Sequence, residues 1–222
     1  LAEANRCRKP HPRVLPYADL QLAQCKQRLY RGRIVDTLVT LRTLRRNQEL
    51  QPLLTRRTTS LQFSLLHGRA AALLALSEHY KLEVDRGPLT GSLAIPSREL
   101  LEQACEILER ALPRPKAWLT LFRTFQGLIS NDWQLVNTLT INALKSEDET
   151  FKTPLIRSIF GALYLLALKR AEQLNQSRNK ADEDGENKYA KQAKALREQL
   201  SIQRRRAGLA PSPEVTFISA IS

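Results

Sequence analysis

The chain has 222 residues, 42% of them apolar and 26% charged, enough apolar surface to offset the entropy of ordering, which excludes wholesale disorder. Lysine and arginine number 35 against 22 acids, a net charge of +13. The longest apolar run, residues 158–168 between Arg157 and Lys169, falls short of the roughly 20 residues of a membrane-spanning helix.

Residues 1–17 carry Pro10, Pro12 and Pro16 among basic side chains. Prolines at that density favour an extended arm over a helix. Asp19 is the expected cap of the first helix, with Leu22, Cys25 and Leu29 on one stripe. Gly32 punctuates, and a second helix is expected over 33–50 with Ile34, Leu38, Leu41 and Leu44 inward. Ser60 is the expected cap of a long third helix reaching Glu83. Its apolar residues between Leu61 and Leu76 leave little polar face, the mark of a helix buried at the centre of a bundle. Residues 84–96 hold two glycines and two prolines and read as a loop.

Ser97 is expected to cap a helix ending near Leu112, where Pro113 stops it and Pro115 starts the next. That next helix carries Leu119, Phe122, Phe125 and Leu128. Asp132 caps another, with Trp133, Val136, Leu139 and Ala143 on its stripe. Thr153–Pro154 opens a helix to about Leu174. Residues 175–187 contain no large apolar side chain and read as a linker. A terminal helix is expected over 188–207, and residues 208–222 form a tail. Within the tail, Val215–Ile221 is apolar and β-prone. It either docks on another subunit through Val215, Phe217, Ile218 and Ile221 or folds back on the bundle, and docking is the favoured expectation.

The fold expected is therefore all-α: a multi-helix antiparallel bundle of about seven to eight helices, with an extended N-terminal arm and a C-terminal tail. Residues 18–83 make a basic N-terminal helical part and 97–174 a C-terminal helical part nearly balanced in charge, with 18–174 one continuous domain.

Chemistry-bearing motifs are scarce. The segment Gly87-Pro88-Leu89-Thr90-Gly91 lacks the Lys-Ser/Thr of a phosphate loop, and its proline removes an amide donor. Cys7, Cys25 and Cys105 are too scattered for zinc. Cys25 and Cys105 fall at apolar helical positions and read as core. An odd, dispersed cysteine count fits a reducing compartment, cytoplasmic or an organellar matrix. His67 lies on the buried helix and reads as a core histidine. His79 and Glu83 are spaced as an i, i+4 pair, common on helix surfaces. Trp118, Phe122, Phe125 and Trp133 sit at core spacing. No catalytic set, metal site or cofactor motif emerges.

The charge excess is concentrated. Residues 1–70 hold 14 Lys and Arg against four acids, and over the whole chain arginines outnumber lysines 24 to 11. Arginine's planar fork of donors suits phosphate. The candidate phosphate contacts are Arg28, Arg31, Arg33, Arg42, Arg45, Arg46, Arg56 and Arg57, with Arg69 adding one on the buried helix. Secondary basic groups are Arg6, Arg8, Lys9 and Arg13 in the arm and Arg204, Arg205 and Arg206 near the end. The last three equally suit the C-terminal end of a helix dipole. The function expected is a non-enzymatic helical subunit of a nucleoprotein assembly that grips RNA or DNA backbones without sequence preference. The alternative is a protein–protein adaptor that meets acidic partners through its arm and tail.

Overall fold

The computed structural model describes residues 14–48, 57–84, 97–111, 114–178 and 212–221. The described residues form helices and turns with no strand, the all-α multi-helix bundle expected from the periodicity.

Helix α1 (Val14–Tyr30) buries Ala18, Leu22, Cys25 and Leu29, a stripe of alternating four- and three-residue steps. It begins earlier than the sequence suggests. Pro16 stands in its first turn, where no amide donor is needed, so residues 14–17 are helix rather than arm. Asp19 is consequently an exposed residue within the helix and not its cap. The helix ends in a Schellman turn. Gly32 takes a left-handed φ of 77°, its N–H donates to Leu29 O at 3.0 Å, and Arg33 N–H donates to Arg28 O at 3.0 Å. The chain thereby turns back and α2 (Ile34–Arg46) packs on α1.

Helix α3 (Arg57–His79) is the hub. Every residue from Ala70 to Leu76 is buried. One side of it (Ala70, Ala71, Leu73, Leu74) joins α1 and α2 in a smaller core. The other (Ala72, Ala75, Leu76) joins the larger core of the C-terminal helices. Over Ala70–Leu76 the helix lies between two cores and has no wet face, so this stretch shows little amphipathic contrast. It starts at Arg57, so Ser60 is an interior residue and not its cap. It ends at His79 in a second Schellman turn, with Lys81 at φ 53° and Leu82 N–H donating to Ser77 O at 2.8 Å.

Helices α4 (Ser97–Arg110) and α5 (Lys116–Ile129) close over α3. Asn131 ends α5 with φ 56° in a third Schellman turn. Asp132 N–H donates to Gly127 O at 2.8 Å, and the Asp132 carboxylate caps α6 (Trp133–Lys145) by accepting from Leu135 N–H at 3.0 Å. One residue thus ends one helix and starts the next, fixing a tight corner. A single turn, α7 (Glu149–Lys152), capped by Asp148, precedes α8 (Pro154–Arg178), which opens at Pro154 as expected. Helix α8 runs past Leu174, so residues 175–178 are helical rather than linker.

The segment read as β-prone is helix α9 (Pro213–Ala220). Ser212 caps it by accepting from Val215 N–H, and Pro213 and Glu214 occupy its first turn. Those are start signals that outweigh the β propensity of the residues after them. Helix α9 packs on α8 and α3 with Val215 and Ile218 buried. The arm over 1–13, the linker over 179–187, the expected helix over 188–207 and Pro113 lie outside the described residues.

Candidate functional site

Helices α1, α2 and α3 pack as neighbours, the condition for their arginines to form one surface. The side chains nevertheless divide into two groups. Arg33 pairs with the fully buried Asp36. Arg28 donates from Nη1 to Thr40 Oγ1 at 2.6 Å. Arg42 follows Arg33 by nine residues, about two and a half helical turns, so it lies on the opposite side of α2. Arg45 and Arg46 fall on that far half as well. Arg31 is exposed in the α1–α2 turn. Of the arginines expected on a single face, Arg28 and Arg33 thus lie on one side of α2 and Arg42, Arg45 and Arg46 on the other.

The first group is partly neutralised by its own chain through Asp36. The second group lies beside His67 of α3. Arg42 is half-buried, and its Nη2 is buried and meets no hydrogen-bond acceptor. Both Arg42 and Arg45 act electrostatically on His67, which reaches them from α3. His67 is 7% exposed and stacks on Phe63, with ring centroids 6.3 Å apart and planes 7° from parallel. Burial, then Arg45 and Arg42, lower its pKa to about 4, so at neutral pH it is an uncharged ring beside two guanidinium groups. Arg46 is exposed one position beyond. This corner of the α2–α3 interface thus gathers three arginines, and among the described residues Arg42 Nη2 has no acceptor.

Arg57 opens α3, while Arg56 and the secondary groups Arg6, Arg8, Lys9, Arg13 and Arg204–Arg206 lie outside the described residues. Arg69 is not a surface cation. It is 5% exposed and bound through two prongs to the buried Glu214 of α9. The rings of Tyr30 and Trp118 lie 5.4 and 4.9 Å from its guanidinium carbon. The tail residues proposed for docking a partner are likewise engaged at home: Val215 and Ile218 are buried, and Phe217 and Ile221 pack against the cores. The sequence carried a signal for this: an arginine inside the most apolar stretch of the buried helix, and a Ser-Pro-Glu helix start.

Other candidates take their expected or simpler roles. Burial pushes the Cys25 and Cys105 thiols up to about 11, leaving them protonated at neutral pH. Phe122 and Phe125 are buried, with Trp118 and Trp133 half-buried beside them. Glu83 lies beyond the end of α3, so the i, i+4 relation with His79 is not made on a helix; His79 meets Tyr80 edge to face at 4.7 Å. Among the described residues no cluster of His, Cys, Asp and Glu side chains could hold a metal ion, and no helix is long and apolar enough to cross a membrane.

Compared with known proteins, the chain matches no protein-family model, no curated protein and no solved structure.

Proposed function

We propose that the protein is a non-enzymatic subunit that binds nucleic-acid backbones, with Arg42, Arg45 and Arg46 at the end of α2 as its principal phosphate contacts. The observation that supports this reading is the gathering of half-buried Arg42 and exposed Arg45 and Arg46 on one side of α2, beside a histidine that stays neutral. Residues 14–48 add the long-range field: seven lysines and arginines stand against Asp19 and Asp36 alone, and Asp36 is buried against Arg33. With Arg28 and Arg33 turned to the other side of α2, they contribute to approach rather than to contact. Contacts of this kind read charge and spacing, so the binding is sequence-tolerant and weakens as salt rises.

The adaptor reading loses its tail surface to the intramolecular packing of α9, and the arm it also relies on lies outside the described residues.

The test is fluorescence anisotropy with labelled single-stranded RNA and duplex DNA of mixed sequence at rising potassium chloride. Substituting Arg42, Arg45 and Arg46 with glutamate is expected to weaken binding at least about tenfold on every sequence. It is also expected to reduce the salt slope by about one per lost contact. A control with Arg98, Arg114 and Arg123 substituted the same way makes the same change of net charge on exposed positions of the C-terminal part. Equal losses in the two triple variants, or no binding by the parent chain at low salt, overturn the reading.

A further inference from the structure

A cavity of about 230 Å³ opens where the end of α3, the α5–α6 turn, α8 and the end of α9 meet. None of its walls belongs to the α1–α2 hairpin. Its apolar surfaces are the rings of Tyr80 and Trp133 with the aliphatic side chains of Leu166 and Ile221. Among the described residues its polar lining is Asn131, Gln173, Lys169 and Arg170, with no carboxylate. The residues come from four separate elements, and two tight structures hold them in place. The Schellman turn at Asn131 fixes the corner that carries Trp133. The Arg69–Glu214 pair fixes α9, which carries Ile221.

Arg170 gives the cavity its chemistry. Its guanidinium carbon lies 5.8 Å from the Trp133 ring centroid, and its Nη1 donates to Gln173 Oε1 at 3.3 Å. A ring and a carboxamide orient the guanidinium without cancelling its charge. An arginine held over an indole offers a second flat face for stacking and leaves its outer N–H groups for an anion. Lys169 adds positive charge beside it. The volume is below the roughly 300–1,000 Å³ of a drug-sized site, so it receives one planar ring and leaves the remainder of a ligand at the mouth.

A flat ring against indole, phenol and guanidinium, with an anionic group at the rim, is the chemistry of a nucleotide. We propose that this cavity binds a nucleoside phosphate, its base stacked in the Trp133–Arg170 corner and its phosphate on Arg170. The ligand is either a free nucleotide or the phosphorylated end of a single strand. The site shares no residue with Arg42, Arg45 and Arg46 and stands or falls independently of them.

The test follows the two tryptophan indole N–H signals of the full chain by NMR, with Trp133 assigned through Trp133→Phe. Adenosine 5′-monophosphate is expected to shift the Trp133 signal and leave that of Trp118 in place. Arg170→Gln, at an exposed position, is expected to weaken the effect at least about tenfold, where 1.4 kcal/mol corresponds to a factor of ten. Lys145→Gln, an exposed cation of α6 outside the cavity, is expected to leave it unchanged. A 5′-phosphorylated trinucleotide that binds more tightly than the mononucleotide assigns the site to strand ends; equal or weaker binding assigns it to free nucleotides. No Trp133 shift at millimolar adenosine monophosphate overturns the proposal. So does an equal shift with inorganic phosphate or adenosine alone, or an Arg170→Gln protein that binds as the parent does. Retention of the Trp133 shift in the Arg42/Arg45/Arg46 triple variant separates this site from the one on α2.

Discussion

Arg69 and Glu214 meet in a two-pronged ion pair inside the protein, although 145 positions separate them: Nε donates to Oε1 at 2.6 Å and Nη2 to Oε2 at 3.1 Å. The side chains are 6% and 1% exposed. Burial works against the arginine's charge, but Glu214, with help from Tyr30, outweighs it and raises the Arg69 pKa. Removing one partner strands the other, whereas removing both strands neither. Glu214→Gln is therefore expected to lower stability by about 3–5 kcal/mol in urea denaturation. The double variant Arg69→Met/Glu214→Leu is expected to recover a large part of that loss. Equal losses in the single and double variants would show that the packing of α9, rather than the charge pair, dominates.

His67 is expected to make the fold sensitive to acid. Its folded-state pKa of about 4 lies below its ordinary 6.5, so between those values the unfolded chain binds the extra proton and the folded chain does not. Stability contributed at this position is complete above pH 6.5, falls as the pH drops towards 4, and levels off below that. The span of the shift corresponds to about 3 kcal/mol at most. In His67→Gln, urea midpoints measured from pH 7 to 4 are expected to fall less steeply than in the parent chain. Parallel curves would assign the acid sensitivity to other groups.

The helical elements were legible because most of them have one wet face. The stripe Leu22, Cys25 and Leu29, the cap at Asp132 and the helix start at Pro154 follow from spacing and local chemistry alone. Boundaries failed where a residue acts differently by position: Pro16 reads as a helix breaker but sits in a first turn, and Ser60 reads as a cap but lies inside α3. The tail was misread because α9 is buried through Glu214 as well as Val215 and Ile218, and the partner of a buried acid cannot be found by local pattern. The candidate site was legible as composition only. Charge counts name Arg33 and Arg42 alike, but the helical phase between them, and the carboxylate already beside Arg33, decide which one remains available.

The three Schellman turns differ in the residue at their left-handed position: Gly32, Lys81 and Asn131. Asparagine tolerates that conformation, but lysine holds it against the steric preference of an L side chain, a cost of about 1–2 kcal/mol. Lys81 is exposed, so Lys81→Gly loses little else and is expected to raise the melting temperature by about 2–4 °C. Gly32→Ala is the complementary change. A Cβ there meets nothing within 4 Å, so any loss is backbone strain alone, and a fall of similar size is expected. A Lys81→Gly protein that melts lower than the parent would show that the side chain contributes more than its conformation costs.

Gly68 faces Phe122 of α5. A Cβ at this position runs into the edge of the Phe122 ring and lies 3.2 Å from the Ala104 Cβ of α4. Phe122 is fully buried within the larger core, so its ring has no free volume to enter. The glycine is thus required for helix spacing, not for backbone conformation, and it lets α3 lie against α4 and α5 together. Gly68→Ala should gain helix propensity of roughly 1 kcal/mol yet lose more than that to overpacking, which typically costs about 1–3 kcal/mol. The net expectation is destabilisation in urea, accompanied by NMR shift changes concentrated on Phe122 and Ala104. Pairing it with Phe122→Leu, which removes the obstructing ring edge, is expected to make the glycine-to-alanine step neutral or stabilising. If that step costs the same with and without the phenyl ring, close approach of α5 is not what this glycine serves.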